Sequence, residues 1–507
     1  MLYILSDLLT RRPPGTDAKT AIVDGTRRIS YFELTDRAQR YALLLREAGI
    51  RRGDRVGIFM RRSIESVIAL FAVAFAEGVA VFLNDVLKSM QANYILQHCG
   101  ASLLLTESRL LLSVPDLAMA ADRIIEIDKT PAPEDSYAPT STIGEDVAMI
   151  IYTSGSTGRP KGITLSHTNL LGGAHIISDY LRISGDDILI SLLPFSFDYG
   201  LNQLLTALLK GGTLVIQRSL FPADICKTLL MENVSGMAAV PMLWLQLTQE
   251  YSPFLKTGFP KLRYMTNTGG RLPEGTVRLL RKAHPGADLY LMYGLTEAFR
   301  STFLPPDQAD RRPTSIGKAI PNVEILVLNE QGKPCAPGEV GELVHRGANI
   351  SLGYWRDPES SAKVFRQNPL QNREQLVRPE TVVYSGDWVK QDEEGYLYYV
   401  GRKDQTLKSH GIRVSSEEVE EYIFASQLVS GAVVFGVPRE DAEPELVAVI
   451  VPKDPATFRL ENLLQFCKKE MPEYLRPHKF SCMKSFPQTS SGKPDRVRIK
   501  EDYAENR

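Results

Sequence analysis

Along most of the chain the apolar positions keep switching between a helical period and short continuous runs. Tyr31–Ala48 has apolar residues at helical spacing, Arg55–Phe59 is a short apolar run after the turn Arg52-Gly53-Asp54, and Ser63–Phe75 is helical again. Val79–Leu83 reads as a strand, Ser89–His98 as a helix and Ala101–Thr106 as a strand. A Pro/Asp/Ser-rich break at Thr130–Thr142 interrupts the pattern, which resumes with the strand Asp146–Tyr152. Strands at Asp187–Leu193, Thr213–Ile216, Ala238–Val240 and Arg263–Thr266 then alternate with helices at Gly200–Lys210, Ala223–Glu232 and Met242–Thr248. Such alternation predicts a mainly parallel sheet covered on both faces, an α/β fold.

From Val323 the texture becomes short strands between Gly/Pro turns, at Val323–Leu328, Glu342–Arg346, Val382–Trp388 and Tyr396–Val400, which predicts an antiparallel β region. After Gly401-Arg402-Lys403-Asp404 it changes once more, to a small α+β segment. The expected organisation is a large N-terminal domain over residues 1–402 and a small C-terminal domain over residues 403–507.

With 507 residues, 43% of them hydrophobic, there is material for more than one core without staples. The 59 basic and 60 acidic side chains nearly cancel, which argues against a nucleic-acid partner or an anionic membrane surface. Five scattered cysteines without CxxC spacing suit reduced thiols, and the seven histidines show no metal-binding spacing. The N-terminus places its arginines after its apolar residues, the reverse of a signal peptide. Val67–Leu83 is apolar but is broken by Glu77 and Gly78, too short on either side to span a bilayer. A cytoplasmic protein without membrane insertion is expected.

The densest chemistry lies in Ile151-Tyr152-Thr153-Ser154-Gly155-Ser156-Thr157-Gly158-Arg159-Pro160-Lys161-Gly162. Glycines let backbone N–H groups approach an anion, and the hydroxyls and Lys161 add donors and charge. This is not the Walker loop, since Pro160 precedes the lysine. The string resembles the phosphate loop of the AMP-forming adenylating superfamily: acyl-CoA synthetases, stand-alone and peptide-synthetase adenylation domains, and luciferases. Further motifs resemble that family in the same order: Tyr293-Gly294-Leu295-Thr296-Glu297, Gly341-Glu342-Leu343 with Gly353-Tyr354-Trp355, Ser385-Gly386-Asp387, the stretch from Gly401 through Lys408, Gly411 and Arg413, and Ser491-Gly492-Lys493. The stretch Tyr293–Pro306 also resembles acyl-CoA ligase-like proteins of bacterial exosortase-associated polysaccharide loci.

The resemblance implies two α/β subdomains and a β-rich subdomain in the large domain, and a mobile small domain. It implies that a carboxylic acid is adenylated by ATP with Mg2+, releasing pyrophosphate, and that the acyl group passes to a phosphopantetheine thiol, on coenzyme A or a separate carrier protein. It assigns Thr153–Gly158 and Lys161 to the β- and γ-phosphates, Thr296 to the α-phosphate and Glu297 to Mg2+. Tyr293 with Gly294, and Gly269-Gly270-Arg271, would wall the adenine site, and Asp387 and Arg402 would hold the ribose. Lys493 would bridge the acid's carboxylate and the α-phosphate as charge develops. Asp404 would be the hinge about which the small domain turns, with Lys408 and Gly411 serving the thiol step.

Leu193-Pro194-Phe195-Ser196-Phe197-Asp198-Tyr199-Gly200 lacks the histidine of many fatty acyl-CoA synthetases and resembles amino-acid adenylation domains, where the Asp pairs with the substrate's amino group. Asp198 equally suits a cap on the following helix. The same resemblance places Tyr199, Asn202, Thr266, Thr268, Met292, Arg300 and Ser301 in the acid pocket. Arg300 there either reads a second acceptor on the acid or points outward. The substrate is thus an amino acid, or alternatively a fatty or other simple acyl acid. A non-catalytic sensor of nucleotide or acyl-adenylate would be expected to lose Lys493, Glu297 or Asp387, and all three are present. Nothing positive in the sequence points to a luciferase-like oxygenase. Two departures stand out: Pro494 follows Lys493 where the family has an aliphatic residue, and Phe82-Leu83-Asn84 lacks the family's proline.

Overall fold

The structure is a computed structural model that describes residues 2–137, 141–153, 160–371, 379–403, 406–409, 412–439, 442–471, 475–489 and 492–505; for 406–409, 412–415, 438–439 and 442–444 only the backbone is described. Two large sheets carry the N-terminal part. The first runs Ile124–Glu126, Ala101–Thr106, Arg55–Phe59, Val79–Leu83, Val147–Thr153, Lys161–Ser166 in space, parallel throughout except for its last strand. The second has nine strands. Its centre, from Asp288–Tyr293 through Tyr264–Asn267, Gly236–Ala239, Ile188–Ser191 and Thr213–Ile216 to Thr20–Asp24, is parallel, and antiparallel strands lie at both edges.

The helix Ile64–Phe75 is buried at every position but Glu65, and Asp198–Lys210 at every position but its last. Helices buried on nearly every side are enclosed by other elements. They share one apolar cluster with residues of both sheets, including Val56 and Ile58 from the first and Leu189, Met237 and Met265 from the second. Ser63 starts the first of these helices with a reciprocal capping box to Ser66. The chain then turns at Glu77, whose φ of +62° is left-handed, where the sequence placed the break between helix and strand.

The third sheet is antiparallel: Val323–Leu328, Val340–Gly347, Thr381–Gln391 and Phe365–Gln367, with Leu397–Arg402 also paired to Thr381–Gln391. Beyond it, a sheet of Val429–Arg439, Ala442–Pro452 and Lys479–Cys482 with the helices Ser416–Ala425 and Leu460–Glu470 forms a separate apolar core around Val419, Ile423, Val434, Leu446 and Leu463. The architecture is therefore α/β in a large multi-sheet N-terminal region, followed by a smaller α+β domain.

One boundary and two strands differ from the sequence reading in a way that matters. The helix read as starting at Gly200 starts at Asp198, and its N-cap is Phe197 rather than Asp198. Gly200 is a close-approach residue instead: a Cβ there would lie 2.3 Å from the carbonyl oxygen of Pro194. The strands Lys161–Ser166 and Asp288–Tyr293, which the periodicity reading did not mark, both border the site. Among the described residues no helix is long and apolar enough to cross a membrane, and no cluster of three His, Cys, Asp or Glu side chains could hold a metal ion.

Candidate active site

A cleft of about 2590 Å³ opens between the sheets of the large region and the small domain. That exceeds the roughly 300–1,000 Å³ of a pocket for one small ligand. Thr153, Lys161, Asp198, Thr268, Gly269, Gly270, Arg271, Met292, Tyr293, Gly294, Thr296, Glu297, Arg300, Asp387, Arg402 and Lys493 all line it. Ser154, Gly155, Ser156, Thr157, Gly158, Asp404 and Gly411 lie outside the described residues, and Lys408 is described only as backbone in the strand Thr406–Ser409.

The phosphate-loop ends are fixed by strand pairing. Thr153 sits opposite Lys161 where Val147–Thr153 and Lys161–Ser166 close their ladder. Lys161 Nζ donates to Ser360 Oγ (2.9 Å) and lies 5.0 Å from the centre of the Tyr354 ring. The Tyr354 hydroxyl donates in turn to Glu297 Oε1 (2.6 Å). Burial, then the adjoining Glu297 charge, raises the phenol's pKa, so Tyr354 stays a donor. One tyrosine thus ties the loop lysine to the acidic residue of the Tyr293–Glu297 string. The motif Gly353-Tyr354-Trp355 brought it into view, but only the long-range pairing of Gly353 and Trp355 with Thr164 and Gly162 shows what it touches.

On the opposite wall the Tyr293 hydroxyl donates to Asp387 Oδ2, and Arg402 Nη1 stands 3.1 Å from Asp387 Oδ1. Asp387 is buried, and desolvation raises its pKa against the opposing pull of Arg402 and Tyr293. Its backbone is held by Ser385 Oγ, and Gly386 N–H by Glu342, which also pairs with Lys403 (2.9 Å). Arg271 is committed to the small domain: it pairs with Glu421 on the helix Ser416–Ala425.

Lys493 is delivered by a short loop in which Thr489 N–H donates to the Lys493 carbonyl (2.7 Å) and Gly492 N–H to that of Thr489 (2.9 Å). Its side chain crosses to the large region, where a Cβ on Gly269 would lie 3.3 Å from Lys493 Cε. Gly269 has φ +82°, so glycine is required there on both counts. Lys493 is exposed as a residue, yet the protein around its ammonium desolvates it enough to lower its pKa; Asp198 and Asp387 oppose this and Arg402 adds to it.

The residues expected around the acid divide into two groups. Asp198, Thr268, Met292 and Arg300 face the cleft. Tyr199, Asn202, Thr266 and Ser301 are buried and are not among the residues that line it. The Tyr199 hydroxyl is spent on Thr266 Oγ1, and Ser301 Oγ on His345 Nδ1 (3.0 Å). Arg300 turns inward: 2% exposed, it lies over the Tyr199 ring and 3.8 Å from Asp198.

Glu297, one of several carboxylates that line the cleft, suits Mg2+, which is usually held by one or two carboxylates together with substrate phosphates. Asp387 beside Arg402 and Tyr293, with glycines at 269 and 294 opening the wall, forms a cradle into which sugar hydroxyls and a flat base fit.

Comparison with known proteins agrees with this geometry. The model of the AMP-binding enzyme family matches residues 9–355, and that of the AMP-binding enzyme C-terminal domain matches residues 418–493. Gramicidin S synthase 2 of Aneurinibacillus migulanus is 28% identical over 502 residues, 98% of this chain and 11% of that protein. Tyrocidine synthase 3 of Brevibacillus parabrevis is 29% identical over 503 residues, 97% of this chain and 8% of its own length. The chain thus spans no more than 11% of the length of these two relatives. Among solved structures, ATP-bound MatB from Rhodopseudomonas palustris has TM-score 0.88 at 28% identity, covering 99% of each chain. The anthranilate CoA ligase AuaEII with anthranoyl-AMP has TM-score 0.89 at 25% identity, covering 100% of this chain and 98% of that one. The o-succinylbenzoate coenzyme A synthetase of Bacillus subtilis, in complex with ATP and a magnesium ion, has TM-score 0.84 at 25% identity, covering 97% and 99%.

Proposed function

The chain belongs to the AMP-binding enzyme family, whose members here are AMP-forming adenylating ligases, and on that premise we propose that it turns a small carboxylic acid and ATP into an acyl-adenylate and hands the acyl group to a phosphopantetheine thiol. The observation that carries the proposal is convergence: Lys493 of the small domain reaches Gly269 of the large one, in the same cleft as Asp387, Arg402, Glu297 and Asp198.

In the first step a carboxylate oxygen attacks the α-phosphorus and the bond to pyrophosphate breaks. Two anions must be brought together, so positioned cations supply most of the catalysis. Lys493 takes the bridging position between carboxylate and α-phosphate, with Thr296 donating to the α-phosphate. Thr153 and Lys161, with the loop Ser154–Gly158 between them, hold the outer phosphates. Asp387 and Arg402 hold the ribose, and Tyr293, Gly269, Gly270 and Arg271 flank the base. Glu297, held in place by Tyr354, would ligate Mg2+, and the ion would supply neutralisation of the phosphate charge. In the second step the thiol sulfur attacks the acyl carbonyl carbon, AMP leaves with the bonding pair, and the thiol proton goes to water. A turn of the small domain about Asp404 would withdraw Lys493 and present Lys408 and Gly411 to the arm. The domain boundary at residues 402/403 and a narrower kinship to the exosortase-associated ligases, which rests on Tyr293–Pro306, remain parts of this proposal.

Asp198 lines the cleft and could pair with an ammonium there, which supports an amino acid as substrate. Its pairing with Arg300 favours a second reading, an acid without an amino group, because the carboxylate already has a buried counter-charge. Acid-dependent exchange of labelled pyrophosphate into ATP, over amino acids, dicarboxylic acids and fatty acids, separates these. Exchange driven by an amino acid and abolished in Asp198→Ala is the expected result for the first reading; exchange with simple acids, unaffected by that change, is expected for the second. Exchange with no acid while ATP still binds would overturn the proposal. Thioester formation with coenzyme A or with a carrier protein then identifies the acceptor.

A further inference from the structure

Arg300 is among the largest fully buried side chains of the protein, yet it is poorly satisfied. Its Nη1 is 3.8 Å from Asp198 Oδ2, beyond hydrogen-bond reach, and its guanidinium carbon lies 4.8 Å from the centre of the Tyr199 ring. Nε and Nη2 have no hydrogen-bond partner among the described residues. An unsatisfied buried charged donor costs more than the roughly 1–3 kcal/mol of a neutral one, so it persists only where something supplies the missing acceptor. The orphaned atoms are donors of the cation; neither oxygen of Asp198 is among them. Asn202, one turn beyond Asp198 on the same helix, has an amide nitrogen likewise without a partner.

The two orphaned nitrogens are also the informative pair. Nε–H and one Nη2–H run parallel along one edge of the guanidinium, the side-on fork that matches the two oxygens of a carboxylate. The face of the group is covered by Tyr199, which leaves the edges for recognition. No hydrogen bond holds the guanidinium in its present orientation. Bringing the fork to the cleft therefore breaks only the long contact to Asp198 and the ring stacking. Room for this side chain is built in: a Cβ on Gly294 would lie 3.0 Å from Arg300 Cα and 3.3 Å from Nη1. The preceding Phe299 has φ +58° and its ring fills the notch left by Gly173, which fixes the backbone that carries Arg300.

We infer that Arg300 selects the acid, and that the substrate carries a second carboxylate, with or without an amino group, which Arg300 clamps at its Nε/Nη2 edge while Lys493 serves the carboxylate that reacts. The inference rests on the adenylation reading above and narrows its substrate.

The test is pyrophosphate exchange with pairs of acids matched in length: succinate against butyrate, glutarate against valerate, glutamate against norvaline. A hydrogen-bonded charge pair of about 1.5–3 kcal/mol corresponds to a preference of roughly 10- to 150-fold in kcat/KM for the dicarboxylic partner of at least one pair. Arg300→Met is expected to erase that preference, the dicarboxylate losing far more of its rate than the monocarboxylate does. Arg300→Lys keeps a cation beside Asp198 but lacks the fork, and is expected to lose most of the preference while folding normally. Thermal melting with and without ATP establishes that each variant is folded; should both unfold, the wild-type pairs decide alone. Wild-type exchange that favours monocarboxylates or amides, or a preference that survives in Arg300→Met, would overturn this inference and leave adenylation standing. Silence with every acid would overturn both.

Discussion

Lys493 carries a proton whose presence the proposed chemistry requires, and its surroundings make that proton easier to lose than in an ordinary lysine. The cationic form exists below the pKa, so adenylation is expected to fall as pH rises, with a basic limb earlier than an unperturbed lysine would give. Asp198 works against the depression, so Asp198→Asn should move the limb to still lower pH. Lys493→Ala removes a donor aimed at developing charge and should cost about 10²–10³ in exchange rate, with ATP affinity kept. Which residues stand in the cleft was largely legible from the sequence, because phosphate and ribose chemistry falls on short local strings such as Tyr293–Glu297 and Ser385–Asp387. What each of them touches was not. Tyr354 reaches Glu297 across 57 positions of sequence, and Glu421 reaches Arg271 across 150. Neither residue type announces such a partner. Tyr199 and Ser301, expected beside the acid, are hydrogen-bonded to Thr266 and His345. Polar residues in a pocket wall point either way, and the choice is made by whichever buried partner needs them.

At the scale of elements, the helix Asp198–Lys210 sets the acid pocket because its first residue faces the cleft while almost all the rest is buried. Its approach to the preceding loop depends on Gly200, where an added Cβ would meet three backbone atoms of Leu193 and Pro194 at 2.3–2.8 Å. Backbone cannot step aside as a side-chain tip can. Gly200→Ala should therefore displace the helix start, costing about 1–3 kcal/mol of stability or more and raising the KM for the acid more than that for ATP; calorimetry and exchange kinetics check the two parts. The existence of this helix was plain from its apolar run, but its start was read two residues late. A glycine after Tyr199 looks like a boundary, and only the packing shows that it is a contact point. Strands such as Arg55–Phe59 and Val79–Leu83 were read to the residue, since turns bound them sharply. Their order in the sheet, with Arg55–Phe59 between Val79–Leu83 and Ala101–Thr106, follows from long-range pairing that a local pattern does not encode.

Across the whole molecule, adenylation as proposed needs the small domain seated with Lys493 against Gly269. The pair Arg271–Glu421 spans the two parts next to that contact, with side chains 30% and 40% exposed. An ion pair so open to water is worth about 0.2–1 kcal/mol, and less at high salt. That is a suitable strength for a contact that must form for one half-reaction and release for the next: a pair several kcal/mol stronger would hold the domain in the first arrangement. Glu421→Arg replaces the attraction with a like-charge contact to Arg271. Its expected effect is a loss of roughly two- to fivefold in pyrophosphate exchange, larger at low ionic strength and fading as salt is added. Thioester formation from preformed acyl-adenylate, which uses the other arrangement, should be unchanged or faster, and the double change Arg271→Glu/Glu421→Arg should restore exchange. Equal loss in both half-reactions would mean that the pair supports the fold of the small domain rather than its position. Because the effect is read as a ratio of two reactions of one protein, a general loss of stability in the variant would lower both together and leave the ratio where it was.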